Sequence, residues 1–156
     1  MLIFGIDPGS RITGFGVIEY TGKEYKLRES GLIRLSPRLP FVQRLQKLYL
    51  DLTQKLQENT PDEIAVEDIF CRENVKTALT IGHARGVILL AASQMGVPIA
   101  EYSPREVKMA VVGSGRASKG QVQFMVKTIL GLSEPLPADA ADALAVALCH
   151  AHKVEL

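Results

Sequence analysis

Six residues near the N-terminus constrain this chain more than any other feature. Leu2-Ile3-Phe4-Gly5-Ile6-Asp7 is an apolar run that ends on an acid and is stopped by Pro8-Gly9. Such a run reads as a buried strand. A carboxylate at the end of a buried strand is costly unless something cationic meets it. Glu63 to Glu67 repeats the pattern, with an apolar centre and an acid at the end. Taken alone, Asp7 has an ordinary reading as an Asx-type turn with Pro8-Gly9, and Glu67 as an exposed strand end. The polar Asp68 beside it reads as solvated.

The segments between these two acids decide whether they meet. Gly14 to Tyr20 reads as a second strand, Thr21-Gly22-Lys23 as a hairpin turn, and Tyr25 to Leu35 as a third strand. Ser36-Pro37 and Pro40 break the chain. Phe41, Leu45, Leu48, Leu52 and Leu56 then recur every three or four residues, the mark of an amphipathic helix. Asn74 to Gln94 is a second helical stretch, Val97 to Tyr102 a fifth strand, and helices fill most of the remainder. The order is β-β-β-α-β-α-β-α-α-α. Three meandering strands followed by helical crossovers give a mixed α/β sheet flanked by helices, because crossovers return strands in parallel. Strands one and four then point the same way. Asp7 and Glu67 should share one edge of the sheet, at the carboxyl ends of the strands where sites in open α/β sheets form.

Two further acids, Asp139 and Asp142, lie three apart in PLPADAADALAVALCHAH. Pro135 and Pro137 precede a helical run, so both acids fall in its first turn or so, on one face. They can serve as caps for free N–H groups and partners of the dipole. The surrounding alanines also let this helix approach a sheet edge closely. Four convergent carboxylates without a Cys/His set select hard divalent cations. The histidines compete poorly: His150 and His152 are two apart and face different ways on a helix, and His83 reads as structural.

The 156 residues, 47% of them hydrophobic, suffice for one domain with a proper core, expected to span 1–156. No apolar run approaches the ~20 residues of a membrane span. The N-terminus reads as a strand rather than a signal peptide. Cys71 and Cys149 show no metal spacing, which suits a reducing, cytoplasmic setting without a disulfide framework. A net charge of +1 does not describe a generic polyanion binder. Between Ser103 and Thr128, however, Arg105, Lys108, Arg116, Lys119 and Lys127 face only Glu106. A basic stretch beside an acidic centre suits a phosphodiester substrate, and a solvated helix face is the plainer alternative.

GIDPGSRITGFGVIE at 5–19, VEDIF at 66–70, VKMAVVGSGRASKGQVQFMV at 107–126 and DAADALAVALCHAH at 139–152 together resemble the RuvC family of crossover junction endodeoxyribonucleases. The likeness runs from Leu2 to about His152. It implies a ribonuclease H-like fold, with a five-stranded mixed sheet of order 3-2-1-4-5 flanked by helices, acting as a homodimer on four-way Holliday junctions in recombination and repair. Paired symmetric nicks by metal-activated water would leave 5′-phosphate and 3′-hydroxyl ends.

By the same resemblance, Asp7, Glu67, Asp139 and Asp142 are the catalytic acids and the ligands of two Mg²⁺ ions, for which Mn²⁺ should substitute. DNA contacts are implied at Phe70, Arg72, Lys76, Lys108, Arg116 and Lys119. Further expectations are docking to a RuvA–RuvB branch-migration complex and no membrane partner. Some relatives carry histidine at the position of Asp139, many carry a neutral residue at that of Asp68, and some extend into a basic tail that this chain lacks.

A ribonuclease or general nuclease of the same fold would use the same acids. An actin-like kinase would need a second domain, and a junction-binding module would not need all four carboxylates. Phe70 reads as core from its place after a strand and as a stacking aromatic from the resemblance. Two equivalent cuts need two active sites, hence a C₂ dimer. Gly82 and Gly86, with Leu79, Val87 and Leu90, offer a helix face for it, unless the glycines face the sheet of their own subunit.

Overall fold

The computed structural model describes residues 1–69 and 74–154. Its sheet runs β3-β2-β1-β4-β5, with β1 at Leu2–Asp7, β2 at Ile12–Tyr20, β3 at Tyr25–Arg34, β4 at Glu63–Glu67 and β5 at Ile99–Tyr102. β1 and β2 are antiparallel, as are β2 and β3, whereas β1, β4 and β5 are parallel. The expected order and directions are therefore those observed. β2 starts two residues earlier than its apolar pattern indicates, because Ile12 and Thr13 pair with Arg34 and Ile33. The register of β2 against β3 shifts between Val17 and Ile18.

Among the described residues, five helices cover the two faces. α1 (Phe41–Asn59) and α2 (Val75–Ser93) lie on one face; α3 (Pro104–Val112), α4 (Lys119–Ile129) and α5 (Ala138–Lys153) lie on the other. α1 seats Leu48, Leu52 and Leu56 fully in the core with Phe4, Ile6, Val17, Ile64 and Val66. It ends at Thr60, whose left-handed backbone returns its N–H to the Leu56 carbonyl just before Pro61. Asn74 caps α2 through the N–H of Thr77 at 2.9 Å. α3 and α4 each begin with a capping box, Ser103/Glu106 and Ser118/Gln121.

α5 is the central helix. Eleven of its sixteen residues are buried, from Ala140 to Ala151. It crosses β1 and β2 so closely that a methyl group on Gly5 would lie 2.1 Å from the Ala143 carbonyl oxygen, and one on Gly14 only 1.9 Å from that of Asp139. The alanines of α5 and these glycines are two halves of one close contact. A buried chain of hydrogen bonds fixes its far end: the His150 ring bonds Glu63 at 2.5 Å through Nε2 and the Tyr102 hydroxyl at 2.8 Å through Nδ1.

α2 corrects the expectation that no stretch approaches a membrane span. At 19 residues it is long and apolar enough, by length and composition alone, to cross a membrane. His83 and Arg85 interrupt the run in sequence, which hides it. Ala84, Ile88, Ala91 and Ala92 sit in the core, but only 22% of the apolar window is buried, and Leu79 and Leu90 are more than half exposed. Gly82 and Gly86 have open space around them, so they do not face their own sheet. They line, with Leu45, Leu79, Val87 and Leu90, a shallow apolar groove.

Candidate active site

The strand directions bring the ends of β1 and β4 to one edge of the sheet, and α5 delivers its first turns to the same place. Asp7 pairs across the ladder with Gly14. Because Gly14 has no side chain, the backbone of Asp139 rests directly on it. The close helix–sheet approach thus sets Asp139 and Asp142 beside Asp7. Carboxylate oxygens of Asp7, Asp139 and Asp142 all lie within 4.8 Å of one another. A cleft of about 440 Å³ opens over them, lined also by Glu67, Lys108 and Lys119.

Glu67 enters the group differently. It is absent from the tight three-acid cluster and is hydrogen-bonded to Asp7. The bond raises Asp7 and lowers Glu67. Burial, the Glu67 charge, that hydrogen bond and the charges of Asp142 and Asp139 together push Asp7 up to about 9. Burial also raises Glu67, against the opposing hydrogen bond from Asp7. Asp142 is raised by burial even though Lys119 opposes the shift from 3.2 Å. Lys119 is itself raised, first by the charge of Asp142.

The simpler readings of these acids do not describe what is seen. The turn after Asp7 is closed by Thr13, not by Asp7. Thr13 is fully buried; its hydroxyl accepts from the Gly9 N–H at 3.2 Å and donates to the Gly9 carbonyl at 3.0 Å. α5 has no side-chain cap, so Asp139 is free of that duty. Repulsion among half-buried carboxylates, with oxygen as the only donor atom, fits the binding of a hard divalent cation.

Other expected residues separate. Lys108 and Lys119 line the cleft, projecting from α3 and the start of α4. Arg116 lies between those helices and is not among the groups that line this cleft. Arg105 borders a different groove with Glu106 and Lys153. Lys76 belongs to a basic pocket on the other face of the sheet. Phe70, Cys71 and Arg72 lie outside the described residues. Asp68 is half exposed, yet it is ion-paired at 3.4 Å with Arg85, which also holds Glu101 at 2.9 Å. His83 is exposed, with its ring against Phe41. Sequence reasoning missed Thr13 and Arg85. A Thr between an acid-ended strand and a glycine, and an Arg in an otherwise apolar helix, were the available signals.

Comparison with known proteins adds an independent line. The family described as crossover junction endodeoxyribonuclease RuvC matches residues 3–150. The enzyme of that name from Pelotomaculum thermopropionicum is 56% identical over 153 residues, covering 97% of this chain and 93% of the relative. That from Desulforamulus reducens is 53% identical over 152 residues, with the same coverage. Among solved structures, RuvC of T. thermophilus in complex with a Holliday junction substrate superposes with a TM-score of 0.92 at 39% identity, covering 99% of this chain and 95% of that one. The yeast mitochondrial Holliday junction resolvase Ydc2 shares the fold at 15% identity, with a TM-score of 0.67, 96% of this chain and 77% of that one being covered.

Proposed function

The chain belongs to the RuvC family of crossover junction endodeoxyribonucleases, and from that premise we propose that it resolves Holliday junctions by paired, symmetric, Mg²⁺-dependent nicks, with Asp7, Glu67, Asp139 and Asp142 as its catalytic acids. The observation that carries this reading is the convergence of three carboxylates within 4.8 Å under two lysines. The fold is ribonuclease H-like, and residues 1–156 act as one domain on this reading.

Asp7, Asp139 and Asp142 would hold Mg²⁺, with Glu67 sharing the site through Asp7; two ions per site are part of the proposal, and Mn²⁺ would serve in their place. When bound, the metal lowers the pKa of coordinated water and shields the charge that builds on the phosphate during in-line displacement. The chain's own groups do the rest. Asp7 would have to be ionised to serve as a ligand, so with the cation bound the Asp7–Glu67 pair would stand as two anions. Lys108 and Lys119 hold phosphate oxygens over the carboxylates, and Lys119, already paired with Asp142, steadies negative charge there. Water attacks phosphorus, the bond to the 3′ oxygen breaks, and the products are a 5′-phosphate and a 3′-hydroxyl.

Two cuts related by a two-fold axis require two copies of the site, and the α2 groove is the surface we assign to the homodimer. Gly82 and Gly86 let the helices approach, while Leu79 and Leu90 cover them. Docking to a RuvA–RuvB branch-migration complex and a cytoplasmic location belong to the same reading and rest on family membership.

Cleavage of a synthetic four-way junction, a linear duplex and an RNA–DNA hybrid, with Mg²⁺ and with EDTA, is the test. Junction cutting only with Mg²⁺ is expected. Equal cutting of the hybrid would make the chain a ribonuclease or general nuclease of this fold.

A further inference from the structure

A second basic pocket, of about 320 Å³, lies across the Pro8–Arg11 turn from the carboxylates. Ser10 and Arg11 reach it from the turn, Arg44 from α1, and Lys76, Thr77 and Thr80 from the first turns of α2. No acid lines it. Among the described residues, none of the three cations is in an ion pair. The Arg44 guanidinium lies 5.1 Å above the Phe41 ring, and its Nε is buried without a hydrogen-bond partner. Thr80 spends its hydroxyl proton on the Lys76 carbonyl at 3.0 Å, which leaves Ser10 and Thr77 as the pocket's hydroxyl donors. Three like charges gathered without a counter-charge repel one another and call for an anion.

The position says which anion. Arg11 is four residues from Asp7, hence at most about 15 Å away along the chain. The turn between them is stiffened by the Thr13 clasp on Gly9. Lys108 and Lys119 come from the α3–α5 face of the sheet, whereas Arg44 and Lys76 come from the α1–α2 face. A strand laid across the sheet edge with one phosphate over Asp7 carries its neighbouring phosphates past this pocket. We propose that Arg11, Arg44 and Lys76 form a second phosphate-binding subsite that grips the substrate DNA strand beyond the scissile bond, on the opposite face of the sheet from Lys108 and Lys119. The subsite rests on the nuclease reading above. It makes the strand straddle the catalytic edge, held on both sides, and so fixes the phosphate at the carboxylates.

The experiment measures binding of a synthetic four-way junction and of a linear duplex by the Asp7→Asn protein, in which binding is read without cutting, across 50 to 200 mM salt. Arg11→Gln and Arg44→Gln are each added to it. Lys23→Gln, in the hairpin turn at the other end of the sheet, is the control. Each phosphate contact contributes about 0.9 to the slope of log affinity against log salt. Arg11→Gln and Arg44→Gln should each lower the slope by about one, so that the loss of affinity between 50 and 200 mM shrinks about 3.5-fold. Lys23→Gln should leave it unchanged. Arg11 is exposed, so its variant decides the matter if Arg44→Gln does not fold. A folded Arg11→Gln protein with an unaltered slope, or an equal fall with Lys23→Gln, overturns the subsite. A parent that binds the junction no better than the duplex overturns the junction reading instead, and the duplex slopes still decide the subsite.

Discussion

Replacing Asp7 by Asn should make the metal-free protein more stable while abolishing cutting. In the fold, Asp7 titrates at about 9, against 3.8 for a free side chain. The raised value means that the folded state holds a proton the unfolded state gives up. Stability from this group is therefore complete below about pH 4 and is lost as pH rises toward 9. At pH 7 the penalty has a ceiling of about 4 kcal/mol, from roughly three pH units at about 1.4 kcal/mol each.

Asn keeps the shape and a donor toward Glu67 but needs no proton. Part of the gain is spent on burying the amide, so a net of about 1–3 kcal/mol is expected. In a domain of this size that raises the melting temperature by roughly 3–10 °C. Differential scanning fluorimetry in EDTA from pH 4 to pH 8 reads it directly: the advantage of Asp7→Asn should vanish near pH 4. Saturating Mg²⁺ should reverse the order, since ligand at about 100 times its Kd stabilises the parent by about 2.7 kcal/mol. A variant that melts at or below the parent at pH 7 in EDTA, or whose advantage is independent of pH, would refute the account of the cluster.

Lys119→Ala should weaken junction binding and lower its salt slope by about one, because its head group, paired with Asp142, borders the cleft and is largely exposed; an unchanged slope in a filter-binding titration would place the side chain in plain solvent. Gly82→Leu and Gly86→Leu should both fold, since nothing lies within 4 Å of the added carbon, and should sediment as monomers that have lost paired cutting; a dimer of unchanged affinity would move the interface elsewhere. Phe70→Ala, outside the described residues, should leave melting nearly unaltered and reduce junction cutting if the ring stacks on a base, whereas a core ring would cost ~3–5 kcal/mol. Burial pushes the Cys149 thiol up to about 11, so in a Cys71→Ser background it should resist iodoacetamide at pH 8 until the protein is unfolded. The stability tied to that thiol should hold below about pH 9 and fall as pH rises through 11.

Much of the carboxylate-bearing edge was legible because it depends on local chemistry and on handedness. Apolar runs ending in acids mark Asp7 and Glu67 as strand ends, and a right-handed crossover leaves parallel pairing as the route that brings them together. Helical period puts Asp139 and Asp142 on one face. Period and turn chemistry act over a few residues, so a sequence states them plainly.

What the tertiary structure alone decided concerns which surfaces meet. The direction of Gly82 and Gly86 depends on which side of α2 the sheet occupies, and spacing is the same either way; Ala84 and Ile88 took the inner face. The basic stretch reads as one block, yet its residues part because α3 and α4 turn Lys108 and Lys119 to the cleft while Arg105 and Arg116 fall elsewhere. The unequal places of Glu67 and Asp139 follow from α5 resting on Gly14, which brings an Asp139 oxygen within 4.8 Å of those of Asp7 and Asp142 and leaves Glu67 beside Asp7. Arg11, Arg44 and Lys76 are far apart in the chain and share a pocket only because β1, α1 and α2 converge at one edge. Contacts between residues distant in sequence are set by packing shape, which no short pattern encodes.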